Sequence, residues 1–73
     1  MDAAEIMIFV RDEARRLGMS QGKLSEATSR APRVFAKTLC NVVAGHGVHF
    51  STVQDFLRVV GYEITIQPIE EET

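Results

Sequence analysis

The run Leu17-Gly-Met-Ser-Gln-Gly-Lys-Leu-Ser-Glu-Ala27 constrains this chain most, because it closes one helix and opens another within a few residues. Gly18 is the residue type that ends helices in the left-handed conformation. Ser20 can cap the next helix, its hydroxyl accepting from the free N–H groups of the first turn. Leu24 and Ala27 give that second helix an apolar edge. After Ala27 the chain turns again. Pro32 predicts the start of a third helix, since its fixed φ suits a first helical position and it pushes Ala31 out of the helical region. Arg33 and Lys37 then lie one turn apart. Two short helices at a sharp angle, the second basic on its outer face, form the geometry that fits a helix into the major groove of DNA.

The remaining residues supply a frame for that pair. Ile6, Phe9, Val10, Ala14 and Leu17 recur at helical spacing and predict a first helix over 3–17. Asp2 is its expected cap, and Arg15 and Arg16 suit the negative end of its dipole. The second helix is expected over 21–28. Phe35, Leu39, Val42 and Val43 form the apolar stripe of the third, which Gly45 ends. Arg33, Lys37 and either Cys40 or Asn41 face away from that stripe. Residues 45–50 read as a loop, and Ser51-Thr-Val-Gln54 matches a capping box for a fourth helix. Val53, Phe56, Leu57 and Val60 form its buried face, and Gly61 closes it.

Tyr62 to Gln67 then alternates, with Tyr62, Ile64 and Ile66 on one side and Glu63, Thr65 and Gln67 on the other. This is the pattern of a strand stopped by Pro68. No other strand is expected, and a lone strand leaves a row of backbone groups unpaired. The simplest partner is the same strand of a second copy, antiparallel across a two-fold axis. Tyr62, Ile64 and Ile66 are therefore the expected dimerisation residues. The alternative is a tail, or a strand packed on its own helices. The expected architecture is mainly α: four helices with a helix-turn-helix and a C-terminal β-strand pairing across a dimer. One domain covers 1–69, and 70–73 form an acidic tail.

These residues resemble the phage-repressor-like helix-turn-helix domains of the Xre/Cro type, including the small antitoxin regulators that add a strand after the last helix. The resemblance rests on Leu17-Gly18, Ser20-Gln21, Leu24-Ser25, Val53, Phe56-Leu57 and Val59-Val60-Gly61-Tyr62-Glu63. It spans roughly residues 3 to 67. The family usually carries a small and then an aliphatic residue in the turn between helices two and three, with Ser or Thr capping the third. This chain has Ser29-Arg30-Ala31-Pro32 there, a departure that leaves the register of the third helix open by about a residue.

Composition bounds the reading. A chain of 73 residues makes one domain with a small core. No apolar run approaches the ~20 residues of a membrane helix, and the first residues, with Asp2 and Glu5, lack the basic region of a signal peptide. One cysteine, Cys40, cannot close an internal disulfide. A cytoplasmic bacterial or phage protein is the expectation. The net charge of −2 seems to disfavour nucleic acid, yet three of the ten acids are the terminal Glu70-Glu71-Glu72. From Gly18 to Gly47, Lys23, Arg30, Arg33 and Lys37 stand against Glu26 alone. Phosphate contacts act locally and are screened beyond ~8–10 Å, so a basic patch there suffices.

Catalytic patterns are weak. His46 and His49 share a Gly-rich loop, but no carboxylate in that loop completes a ligand set, so no metal is expected. Cys40 lies mid-helix without an orienting carboxylate, and reads as a small hydrophobe or groove-lining thiol. Gly45-His-Gly47 is too short for a phosphate loop. Neither an enzyme nor a cofactor is expected.

The leading expectation is a dimeric, sequence-specific DNA-binding regulator, a repressor of its own promoter, bound to a palindromic double-stranded operator with half-sites ~34 Å apart. An antitoxin is its special case, with a toxin as further partner. By the resemblance, Gln21 contacts phosphate or supports the recognition helix. Arg33, and after it Arg30, are the candidates for reading guanine through a two-pronged donor geometry. Lys23 and Lys37 are candidate phosphate contacts, and Asn41 completes the groove-facing set. The rival expectation is a protein-interaction module, such as a phage-encoded inhibitor of a host protein, that keeps the fold without binding DNA.

Overall fold

The computed structural model describes residues 2–65, and four helices account for most of them: α1 (Ala3–Arg16), α2 (Gln21–Ala27), α3 (Val34–Val43) and α4 (Phe50–Val59). The mainly helical fold class expected from the periodicity is present. Asp2 caps α1 as expected and does so reciprocally: its carboxylate accepts the Glu5 N–H at 2.8 Å, and the Glu5 side chain reaches back to the Asp2 N–H. At the other end, Arg16 donates to Glu13 at 2.8 Å, and this hydrogen bond and the Glu13 charge raise Arg16 above its ordinary value.

All four helices end in the same motif. The residue after the cap bonds back to the third-last carbonyl region while the next N–H closes a longer ring: Met19 N–H to Ala14 O, Arg30 N–H to Ser25 O, His46 N–H to Asn41 O and Tyr62 N–H to Leu57 O, at 2.8, 3.1, 2.9 and 3.0 Å. This arrangement needs a left-handed residue just past the helix. Gly18, Gly45 and Gly61 supply it in three cases, and Ser29, with φ 61°, in the fourth.

The core forms where the helices converge. Met7, Val10 and Ala14 of α1, Leu24 of α2, Phe35 of α3, and Val53, Phe56 and Leu57 of α4 with Val60 make one buried cluster. Phe35 and Phe56 meet edge to face at 5.0 Å, a geometry worth ~0.5–1.5 kcal/mol beyond area burial. Met7 takes the central place on α1. Ile6 and Phe9 flank it, and Leu17 is exposed because it is the cap residue. On α2 the buried neighbour of Leu24 is Ser25, whereas Ala27 is exposed. On α3, Val43 is 61% exposed rather than part of the stripe.

Two helix starts differ from expectation. Helix α3 begins at Val34, two residues after Pro32. Val34 N–H donates to Ala31 O at 3.0 Å, so Ala31 to Val34 form a single turn with Pro32 at its second position, where proline is also favoured. Helix α4 begins at Phe50, with His49 as its extended cap residue and no side-chain cap. Ser51 is therefore already helical, and the expected Ser51–Gln54 box is absent. Gln54 is engaged elsewhere: its side-chain oxygen accepts the Ile64 N–H at 3.0 Å.

After Gly61 the chain leaves α4 and runs back along the α1–α4 side. Tyr62 stacks edge-on against Phe9 at 4.8 Å, and Ile64 packs against the core. No strand occurs among the described residues. The expected strand (62–67) is described only as far as Thr65. Ile66, Gln67 and the 70–73 tail lie outside the described residues.

Candidate nucleic-acid interface

The α2–turn–α3 unit is assembled from three local fixings. Ser20 accepts the Lys23 N–H at 3.1 Å and starts α2, as expected. A Cβ placed on Gly22 would lie 3.6 Å from the Pro32 Cβ, so the first turn of α2 rests on the turn before α3. The fully buried Ser25 is the third fixing. Its hydroxyl donates to Gln21 O at 3.1 Å and accepts the Phe35 N–H at 2.9 Å. A helix start exposes N–H groups that need acceptors. Arg33, at the cap position of α3, makes no side-chain cap, and α2 provides one of those acceptors through Ser25.

Arg30 occupies a different role from the base-reading one expected of it. Its guanidinium pairs with Asp55 of α4 at 3.0 Å, lies 5.4 Å from the Phe56 ring centre, and reaches Thr28 O at 3.4 Å. The side chain is 25% exposed. Arg30, Phe56 and Phe35 thus form a stacked series joining the turn, α4 and the first turn of α3.

Arg33, Lys37 and Asn41 are all exposed, four residues apart, on one side of α3. Phe35 and Val42 are buried on the other side. Lys23 is exposed and Gln21 half-buried in the first turn of α2. Among the described residues the ion pairs are Arg11–Asp12, Arg16–Glu13 and Arg30–Asp55. Lys23, Arg33 and Lys37 therefore have no acidic partner there, while Asp12 and Glu13 of α1 pair within their own helix. Cys40 is exposed on α3 beside this stripe.

The sequence reading did not find Ser25, Ser29, Asp55 or Phe56 as determinants of the unit. Only Phe56 carried a signal, as part of the α4 stripe. No group of three His, Cys, Asp or Glu side chains that could hold a metal ion occurs among the described residues. None of the described helices is long and apolar enough to cross a membrane. Compared with protein-family models, curated proteins and solved structures, the chain matches none.

Proposed function

We propose that this protein is a DNA-binding regulator that reads double-stranded DNA with α3, acting as a repressor. The observation that carries this reading is the Arg33–Lys37–Asn41 stripe, exposed and without acidic partners among the described residues, on a helix held by Ser25 and packed on Phe56. Arg33 reads a base, and Lys37 and Lys23 contact phosphates. Gln21 and Asn41 border the groove. Arg30 holds the turn against α4. An autorepressing antitoxin with a toxin partner is a special case of the same reading. Selection of binding sites from a random duplex pool with the purified protein tests it: enrichment of a defined, palindromic site is expected.

The palindrome follows from a homodimer. In a strand, successive N–H groups point to alternate edges. The Ile64 N–H is held by Gln54, so the edge carrying the Glu63 and Thr65 groups is the one open to a second copy. Tyr62 and Ile64 seat the segment on its own domain, and Ile66 continues it. Pairing of two such segments gives the two-fold axis that a palindromic operator needs.

A protein-interaction module is the second reading, favoured by the exposed Val43 and Phe50, at 61% and 57%. Failure to enrich any sequence in the selection would promote it.

A further inference from the structure

Between Lys37 and Asp55 the chain carries no Asp, Glu, Lys or Arg, from Thr38 through Gln54, the longest uncharged run in a sequence that is 25% charged. That run forms one end of the molecule: the close of α3, the connection through Gly45 and Gly47, and the start of α4. Val43, the last residue of α3, and Phe50, the first of α4, border the same short connection. They are the two most exposed large hydrophobics of the described chain, at 61% and 57%. Val48, between them, turns inward against the core, so the two outward side chains are left without cover.

Scattered exposed hydrophobics are ordinary. Two of them bordering one connection, inside the charge-free run, are not. We infer that this uncharged end is a contact surface between copies of this chain, anchored by Val43 and Phe50. A two-fold contact sets each patch against its own image, so any charge on it meets a like charge. A run purged of both signs suits self-contact, whereas a surface for a charged partner would carry the opposite sign. On α3, Val43 is six residues beyond Lys37, about a third of a turn away from the Arg33–Lys37–Asn41 stripe. The contact therefore leaves that stripe open. It is also separate from the Glu63–Thr65 edge, and it does not depend on DNA binding.

Sedimentation equilibrium of the full chain tests this with two substitutions, singly and together: Phe50→Glu at this end and Thr65→Pro at the strand edge. The expected result is that Phe50→Glu removes one association step, with or without Thr65→Pro, weakening that step by about tenfold or more, the usual effect of losing a central aromatic anchor. Val43→Glu should act the same way, and Phe50→Leu should retain association. Both Glu sites are exposed, so an unchanged helical spectrum is expected of each variant. The same association with and without Phe50→Glu and Val43→Glu would overturn the inference, as would a wild type that is monomeric throughout. Loss of association in Thr65→Pro alone, with no effect of Phe50→Glu, would leave the strand-edge dimer standing and this contact refuted.

Discussion

The Ser25 hydroxyl accepts the Phe35 N–H at 2.9 Å, so a residue of α2 supplies an acceptor for the start of α3. The same oxygen donates to Gln21 O at 3.1 Å, which satisfies a fully buried group on both counts. The angle between the two helices is thereby tied to one hydroxyl. Ser25→Ala leaves the Phe35 N–H without this partner in a closed environment, and an unsatisfied buried donor costs about 1–3 kcal/mol. Urea denaturation should show a loss in that range. A change of only a few tenths would mean that the N–H finds another acceptor.

Ser29 carries the left-handed conformation that glycine carries at the other three helix ends. Ser29→Gly should therefore stabilise the protein by about 0.5–1 kcal/mol, the relief of side-chain strain less the added freedom of the unfolded chain. Thermal melting should rise by a few degrees, and Ser29→Val should lower it. A lower melting temperature for the glycine variant would contradict the strain argument.

Arg30 and Asp55 are both partly exposed, at 25% and 42%. Their coupling in a double-mutant cycle should accordingly be modest, about 0.5–1 kcal/mol. Arg30→Ala should cost somewhat more than Asp55→Ala, because it also removes the guanidinium from Phe56. In DNA binding, Arg30→Ala should weaken selected and scrambled sites alike. A loss confined to the selected site would restore Arg30 as a base reader.

The strand-edge dimer has its own test. Thr65 is exposed, and proline there removes one N–H from the open edge while keeping the preceding residue extended. Thr65→Pro should weaken the dimer at that edge without lowering the melting temperature of the monomer. An unaffected assembly would move dimerisation away from this segment.

Much of this fold was legible because its determinants are local. Asp2, Ser20, Gly18, Gly45 and Gly61 act within four or five residues of themselves, and each does what its type and position imply. The α4 stripe was legible for the same reason. Pro32 was ambiguous because two local structures, a first helical turn and a preceding β-turn, both favour proline. Ser51-Thr-Val-Gln54 misled because a capping pattern says nothing about a competing acceptor need, here the Ile64 N–H ten residues on. Arg30 shows where local reading ends. Its basic neighbours pointed outward to a ligand, but Asp55, 25 residues away in sequence, draws it inward. Ser25 was illegible because burial of a hydroxyl depends on a partner N–H that only the packed helices bring to it.

Fluorescence anisotropy on a selected duplex and a scrambled one, at several salt concentrations, tests the central claim most directly. Wild type is expected to bind both, and the selected site more tightly. Arg33→Ala should lose ~1–3 kcal/mol on the selected site and much less on the scrambled one. Lys37→Ala should weaken both alike and lower the salt slope by about one. Equal losses on both duplexes for Arg33→Ala would make it a phosphate contact. No binding by the wild type at any salt concentration would contradict the DNA-reading role of α3 altogether.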